Sequence, residues 1–254
     1  MINKVVSSVE EAVAGVVDGA TVMVGGFGRA GQPLELIDAL IAQGATDLTI
    51  ISNNAGNGDV GLAALLAARR VRKIVCSFPR QPDSWVFDGL YREGAIELEL
   101  VPQGNLAERI RAAGTGIGAF FSPTGVGTQL AEGKETREID GRVYSLEYPI
   151  RADFALISAW KADRWGNLVY RKTARNFGPI MAAAATTTVV QVDEIVSLGS
   201  IDPENVATPS IFVQRVAVVG EREWLKDDVF VGGVDLEGRP LEASAGTDSA
   251  GGSR

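Results

Sequence analysis

From residue 21 to residue 33 the chain reads Thr-Val-Met-Val-Gly-Gly-Phe-Gly-Arg-Ala-Gly-Gln-Pro, and no other stretch limits the possible folds as tightly. Thr21–Val24 is an unbroken apolar or β-branched run, the pattern of a buried strand. Gly25, Gly26, Gly28 and Gly31 then supply a loop whose backbone can take φ > 0 and approach a ligand closely. Pro33 suits the first position of a helix, where a missing N–H costs nothing. Leu34, Ile37, Leu40 and Ile41 recur at helical spacing as a buried stripe. Strand, glycine loop and helix in that order put the loop at the carboxyl end of a strand, where open α/β sheets bind their ligands.

The rest of the chain repeats this unit. Strands are expected over 47–51, 73–78, 96–101, 153–159, 187–192 and 211–219, and helices over 9–17, 62–70, 85–91, 106–113 and 176–185. Such alternation predicts an α/β fold with an open mixed, largely parallel sheet and helices on both faces. Asp140-Gly141, between two strand-like runs in 136–147, predicts a hairpin inserted into that single domain. Residues 114–133 are glycine-rich and read as a long irregular segment of the kind that carries function. The domain is expected to span 1–235. From 236 to 254 Gly, Ser, Ala and charge take over, and this tail is expected to be disordered.

Composition removes several chemistries. The chain has no histidine, which excludes Ser-His-Asp catalysis and disfavours zinc; no metal site is expected. Its one cysteine, Cys76, lies in the apolar run 74–78 and reads as a small buried hydrophobe. A net charge of −8 disfavours nucleic acid and anionic membranes as partners. No apolar run nears the ~20 residues that span a bilayer, and no signal peptide is visible. The expected location is the cytoplasm.

Two ligand readings compete for the glycine loop. Residues 26–31 form a literal G-x-G-x-x-G, the dinucleotide fingerprint. Against it, Pro33 biases Gln32 away from helical geometry, so the helix starts after the motif rather than within it. The second strand also ends in Ser52-Asn53-Asn54, with no acidic residue to take a ribose hydroxyl. A stand-alone protein binding a dinucleotide or sugar phosphate is the reading this leaves behind.

The second reading comes from a resemblance. Asp18-Gly19, two residues, three apolar residues, Gly25-Gly26-Phe27, three residues, Gly31, one residue and Pro33 is similar to the first signature of the class I (3-oxoacid) CoA-transferases. The likeness continues through 51–56 (Ile-Ser-Asn-Asn-Ala-Gly), 101–104 (Val-Pro-Gln-Gly), 121–128 (Phe-Ser-Pro-Thr-Gly-Val-Gly-Thr) and 174–177 (Ala-Arg-Asn-Phe). It covers residues 1–219, with these motifs in family order. The resemblance implies the CoA-transferase fold and coenzyme A esters as substrates, with no permanently bound cofactor. The 3-oxo acid it implies is 3-oxoadipate, with acetoacetate as the alternative.

The resemblance also implies site residues. The stretch Gly25, Gly26, Phe27, Gly28, Arg29, Ala30, Gly31 would bind coenzyme A, and loop amides beside a helix N-terminus do favour a negative group. Taken alone, Arg29 reads as a solvated surface arginine whose guanidinium could pair with a carboxylate or phosphate. Gln103 would sit at the acyl site; its neutral amide can donate to a carboxylate or carbonyl. Read without the family, Gln103 is simply a residue at a helix start. Asn53 and Asn54 read equally as turn residues or as substrate-binding ones. No role for Arg175 and Asn176 follows from the sequence.

Class I CoA-transferases attack the thioester with a glutamate carboxylate, which needs no histidine. That glutamate stands in a Ser-Glu-Asn-Gly motif, and this chain has none. The resemblance therefore implies an A subunit, without a catalytic residue of its own. Its partner would be a B subunit bearing the motif, in an α2β2 heterotetramer. A non-catalytic regulatory or scaffold subunit is a further possibility. An active site completed by another chain predicts exposed apolar surface.

Overall fold

The computed structural model describes residues 2–220. The expected domain end at 235 and the expected tail from 236 lie outside the described residues. In chain order the regular elements are α1 (Val9–Val13), β1 (Thr21–Val24), α2 (Leu34–Gln43), β2 (Leu48–Ile51), α3 (Leu62–Ala67), β3 (Val71–Cys76), α4 (Trp85–Arg92) and β4 (Glu97–Leu100). Then come α5 (Gln103–Thr115), β5 (Phe120–Ser122), β6 (Thr136–Ile139), β7 (Arg142–Glu147), β8 (Ala152–Asp163), β9 (Leu168–Val169), α6 (Gly178–Ala184), β10 (Ala185–Val196) and β11 (Arg215–Val218).

The main sheet runs β11-β10-β8-β1-β2-β3-β4, with every one of those pairings parallel and β9 antiparallel on β8. The expected largely parallel sheet is thus observed. Alternation along β1 divides the core in two, because successive side chains of a strand face opposite ways. Val22 and Val24 point to one face, where Leu36, Ile37 and Leu40 of α2, Leu65 of α3 and Phe87 of α4 pack. Met23 points to the other, against Leu106 and Ile110 of α5 and Met181 of α6. At the edge, β4 carries Glu97 and Glu99, ion-paired with Arg72 and Lys73 of β3. A charged edge strand discourages pairing with a stray chain.

The expected hairpin is present: Ile139 pairs with Arg142 around Asp140 (φ 50°) and Gly141 (φ 74°). Two consecutive positive φ values are what a type I′ turn demands, and Asp-Gly supplies them. The hairpin is not alone, however. β5, drawn from the stretch expected to be irregular, pairs with β7 and makes a separate antiparallel sheet ordered β5-β7-β6. Its three residues carry too short a pattern to read locally, so only the long-range pairing defines the strand.

Other boundaries shift for identifiable reasons. α1 stops at Val13 rather than 17 because Gly15 turns to φ +92°. Pro33 is the residue that caps α2, not its first helical residue. α5 begins at Gln103 instead of 106, since Pro102 in extended geometry ends the preceding segment and leaves the next residue free to start a helix. α6 begins at Gly178 rather than 176, and residues 211–212 of the expected last strand belong to a 3₁₀ turn, Ser210–Phe212, ahead of β11.

Candidate functional site

Because β1, β2, β3 and β4 lie side by side and run parallel, the loops that follow them share one edge. These are 25–33, 52–61, 77–84 and the junction Val101-Pro102 leading into α5.

The glycine loop folds back on itself. Phe27 N donates to Ala30 O at 3.0 Å and Ala30 N to Phe27 O at 3.2 Å, closing a two-residue turn around Gly28 and Arg29. Gly28 sits at φ +60° and Gly31 at φ +76°, a region that L side chains avoid. Space distinguishes them. A Cβ on Gly28 would meet nothing within 4 Å, whereas one on Gly31 would lie 2.6 Å from Ala174 O. The amides of Gly26, Gly28, Arg29 and Gly31 donate to no acceptor among the described residues. Phe27 is exposed, and so are Phe78 in the loop after β3 and Trp85 at the start of α4. Arg29 is exposed and has no ion-pair partner among the described residues. Its Nη2 and Trp85 Cη2 would each lie 4.0 Å from a Cβ built on Gly58.

The structure joins two of the expected residues. Gln103 Nε2 donates to Asn53 Oδ1 at 2.8 Å. Ser77 Oγ lies 2.9 Å from the same Oδ1 and 3.0 Å from Asn53 O, serving one of them at a time. The amides of Ser77 and Phe78 both donate to Asn53 O, each at 3.1 Å. Asn53 is therefore held by the loop after β3 and by the first residue of α5, and it in turn fixes the amide of Gln103. One N–H and the carbonyl of Gln103 stay uncommitted, as does Asn53 Nδ2 among the described residues. Asn54 is 2% exposed and its Nδ2 has no partner among the described residues. A buried donor left unpaired costs about 1–3 kcal/mol, so native structures retain few of them. No hydrogen bond links the glycine loop to Asn53, Asn54 or Gln103 among the described residues; adjacency of β1 and β2 makes them neighbours.

Two further residues belong to this construction. Ser77 follows β3 as Asn53 follows β2, a parallel that the sequence carries but that only strand order makes meaningful. Asn176 Nδ2 donates to Ala30 O at 2.9 Å, from the turn after β9. Cys76, just before Ser77, is fully buried, and burial pushes its thiol up to about 12. It is protonated at physiological pH and no nucleophile.

A second cleft lies elsewhere. It has about 450 Å³, lies beyond β4 between α5 and the three-stranded sheet, and is lined by Glu99, Arg109, Lys134 and Glu147 among others. These four charges pair with one another, which marks a structural network. Among the described residues no His, Cys, Asp and Glu cluster could hold a metal, and no helix is long and apolar enough to cross a membrane.

Comparison with known proteins bears on what this edge is for. The A subunit of 3-oxoadipate CoA-transferase from Pseudomonas putida is 73% identical over 219 residues, covering 86% of this chain and 95% of that protein. The A subunit of a probable succinyl-CoA:3-ketoacid coenzyme A transferase from Bacillus subtilis is 48% identical, covering 87% and 92%. Among solved structures, glutaconate coenzyme A-transferase from Acidaminococcus fermentans superposes with a TM-score of 0.76 at 20% identity, over 85% of this chain and 76% of that one. This last likeness concerns the fold. The model of the coenzyme A transferase family matches residues 6–218, from before α1 to the end of β11. The chain belongs to the coenzyme A transferase family.

Proposed function

We propose that this chain is the A subunit of a transferase that moves coenzyme A from succinyl-CoA to a 3-oxo acid, 3-oxoadipate before acetoacetate. The observation that carries the reading is the convergence of unspent donors on one sheet edge: the glycine-loop amides, Asn53 Nδ2, Asn54 Nδ2 and the second N–H of Gln103. Donors without acceptors suit an anionic, carbonyl-bearing ligand. The 73% identical relative is named for 3-oxoadipate and the 48% identical one for a 3-ketoacid, which supports that order of acceptors.

The nucleophile comes from a partner. No Ser-Glu-Asn-Gly stands in the sequence, and the loops after β1, β2, β3 and β4 contain no glutamate. In the proposed ping-pong cycle a glutamate carboxylate, held by a B subunit, attacks the thioester carbonyl and expels CoA thiolate, leaving an acyl–glutamyl anhydride. The thiolate attacks the glutamyl carbonyl, succinate leaves and a glutamyl-CoA thioester remains. The 3-oxo acid carboxylate then runs the sequence in reverse. Gly25, Gly26, Phe27, Gly28, Arg29, Ala30 and Gly31 contact the CoA ester; Gln103, Asn53 and Asn54 orient the acyl carboxylate. Exposed Phe27, Phe78 and Trp85 offer apolar surface for the B subunit to cover, in an α2β2 heterotetramer in the cytoplasm.

The test is steady-state kinetics of the chain co-purified with its B subunit. Gln103→Ala should lose about 1–3 kcal/mol of transition-state stabilisation, read as kcat/KM for 3-oxoadipate with succinyl-CoA as donor. A wild type that prefers acetoacetate reassigns the acceptor. A covalent CoA adduct found on this chain, rather than on its partner, sinks the assignment of the nucleophile.

A further inference from the structure

Asn176 has no role in the cycle proposed above, yet it is the residue through which another part of the fold holds the glycine loop. Its Nδ2 donates to Ala30 O at 2.9 Å and to Thr173 O at 2.7 Å, while its Oδ1 accepts from Phe177 N at 2.7 Å. The side chain is thereby saturated by short bonds and has one orientation. Ala30 O is also the acceptor that closes the turn, from Phe27 N at 3.0 Å. One carbonyl oxygen therefore receives both the bond that shapes the turn and the bond that anchors it. A residue further on, Gly31 lies against the same 3₁₀ turn, Lys172–Arg175, close enough that a Cβ would come within 2.6 Å of Ala174 O. The segment between β9 and α6 touches the loop twice, once by a polar bond and once by close backbone approach.

We infer that Asn176 is a positioning residue for the CoA-ester site: it sets the glycine loop in the shape that presents the amides of Gly26, Gly28 and Arg29, without touching the ligand. This rests on the reading of that loop as the CoA-ester site. A loop held in its bound shape does not lose ordering entropy on binding, so releasing it weakens ligand affinity. The reacting atoms are unaffected, and the loss is one of uniform binding, which raises KM more than it lowers kcat.

Asn176→Asp separates this from a merely structural role. It keeps the shape and the acceptor for Phe177 N but turns an oxygen toward Ala30 O in place of the donor. In the reconstituted enzyme KM for succinyl-CoA should rise about tenfold with kcat down less than threefold, at an unchanged KM for the acceptor acid. Gly28→Val is the control for the underlying reading, because its side chain enters open space at the turn tip. If Gly28→Val raises KM and Asn176→Asp does not, the positioning role is wrong and the site stands. If neither moves KM, the loop is not the CoA-ester site. Hydrogen exchange on the wild-type complex needs no variant to fold: succinyl-CoA should protect 26–31 and 173–177 together. Protection of the loop alone overturns the inference.

Discussion

Two polar regions of this molecule use the same kinds of residue to opposite ends. Around Glu147, which is 2% exposed, every buried polar group is matched. Glu147 Oε1 accepts from Lys134 Nζ at 2.6 Å and Asn105 Nδ2 at 3.1 Å, and Asn105 Oδ1 accepts from Ser122 Oγ at 2.7 Å. Arg109 bonds Tyr148 O and Glu99, and Glu99 bonds Lys73. Burial pushes the Glu99 carboxyl up, but Lys73 and then Arg109 outweigh it, and it lies below the usual carboxylate range. At the carboxyl edge, by contrast, Asn53 and Asn54 are as buried as Glu147 but keep donors unspent. The first region closes on itself and fastens the three-stranded sheet to α5 and β4. The second keeps donors that no acceptor among the described residues meets, as the ligand site proposed above requires. Polar burial alone does not identify a site; polar burial with donors left over is the pattern expected of one.

The largest effect expected from this contrast is on stability, at Glu147. Glu147→Ala removes the shared acceptor of the buried Asn105 amide and of Lys134, which is 31% exposed, at a cost of about 3–4 kcal/mol, the low end for a broken buried pair. That corresponds to a drop of roughly 10 °C in the melting temperature of the chain. Activity per folded molecule should hold, since the residue lies outside the carboxyl edge. A variant that melts like wild type and loses activity would reverse the assignment of the two regions.

A smaller effect divides the glycine loop itself. Gly31→Ala combines a strained φ of +76° with a Cβ 2.6 Å from Ala174 O, for about 2–4 kcal/mol of destabilisation. Gly28→Ala meets no atom within 4 Å and carries only the conformational penalty, about 1–2 kcal/mol. Urea denaturation of the two variants gives the difference directly. Equal costs would mean that the loop is not held against the turn at 172–175.

How much of the molecule is legible in its sequence follows from the range of each interaction. The strand 21–24, the glycine loop, the helix stripe of Leu34, Ile37 and Leu40 and the Asp140-Gly141 turn are set by neighbours along the chain, and the sequence carries them. The bond between Gln103 and Asn53 is not local: it exists because β2, β3 and β4 lie in that order, which no periodicity encodes. For the same reason Ser77 has no signal of its own and β5 reads as irregular. The family motifs single out Gln103, Asn53 and Asn54 together, but not that Asn53 orients Gln103. Asn176 is conspicuous as a motif and mute as to role, because its partner, Ala30, is 146 residues away.

The pairing of Asn53 and Gln103 gives a more modest prediction. If Asn53 orients the amide of Gln103, the two act as one unit and their losses should not add. In reconstituted enzyme, Asn53→Ala, Gln103→Ala and the double variant should show a coupling of about 0.5–3 kcal/mol in kcat/KM for the acceptor acid. Strict additivity would leave the 2.8 Å bond without functional meaning and weaken the picture of a prepared edge.

The smallest effect tests the other side of the contrast, where a charge pair is formed in the open. Arg69 Nη2 lies 2.7 Å from Glu93 Oε2, much as Lys134 lies from Glu147, but the two side chains are 58% and 57% exposed. Water solvates both partners when the pair is broken, and holding two long side chains together costs rotamer freedom. Such pairs contribute about 0.2–1 kcal/mol, often at the low end. Glu93→Gln should therefore shift the melting temperature by no more than about 2 °C, and raising the salt concentration should shrink even that. A loss comparable with Glu147→Ala would mean that distance rather than burial sets the worth of an ion pair here, and the distinction between the two polar regions would have to be drawn on other grounds.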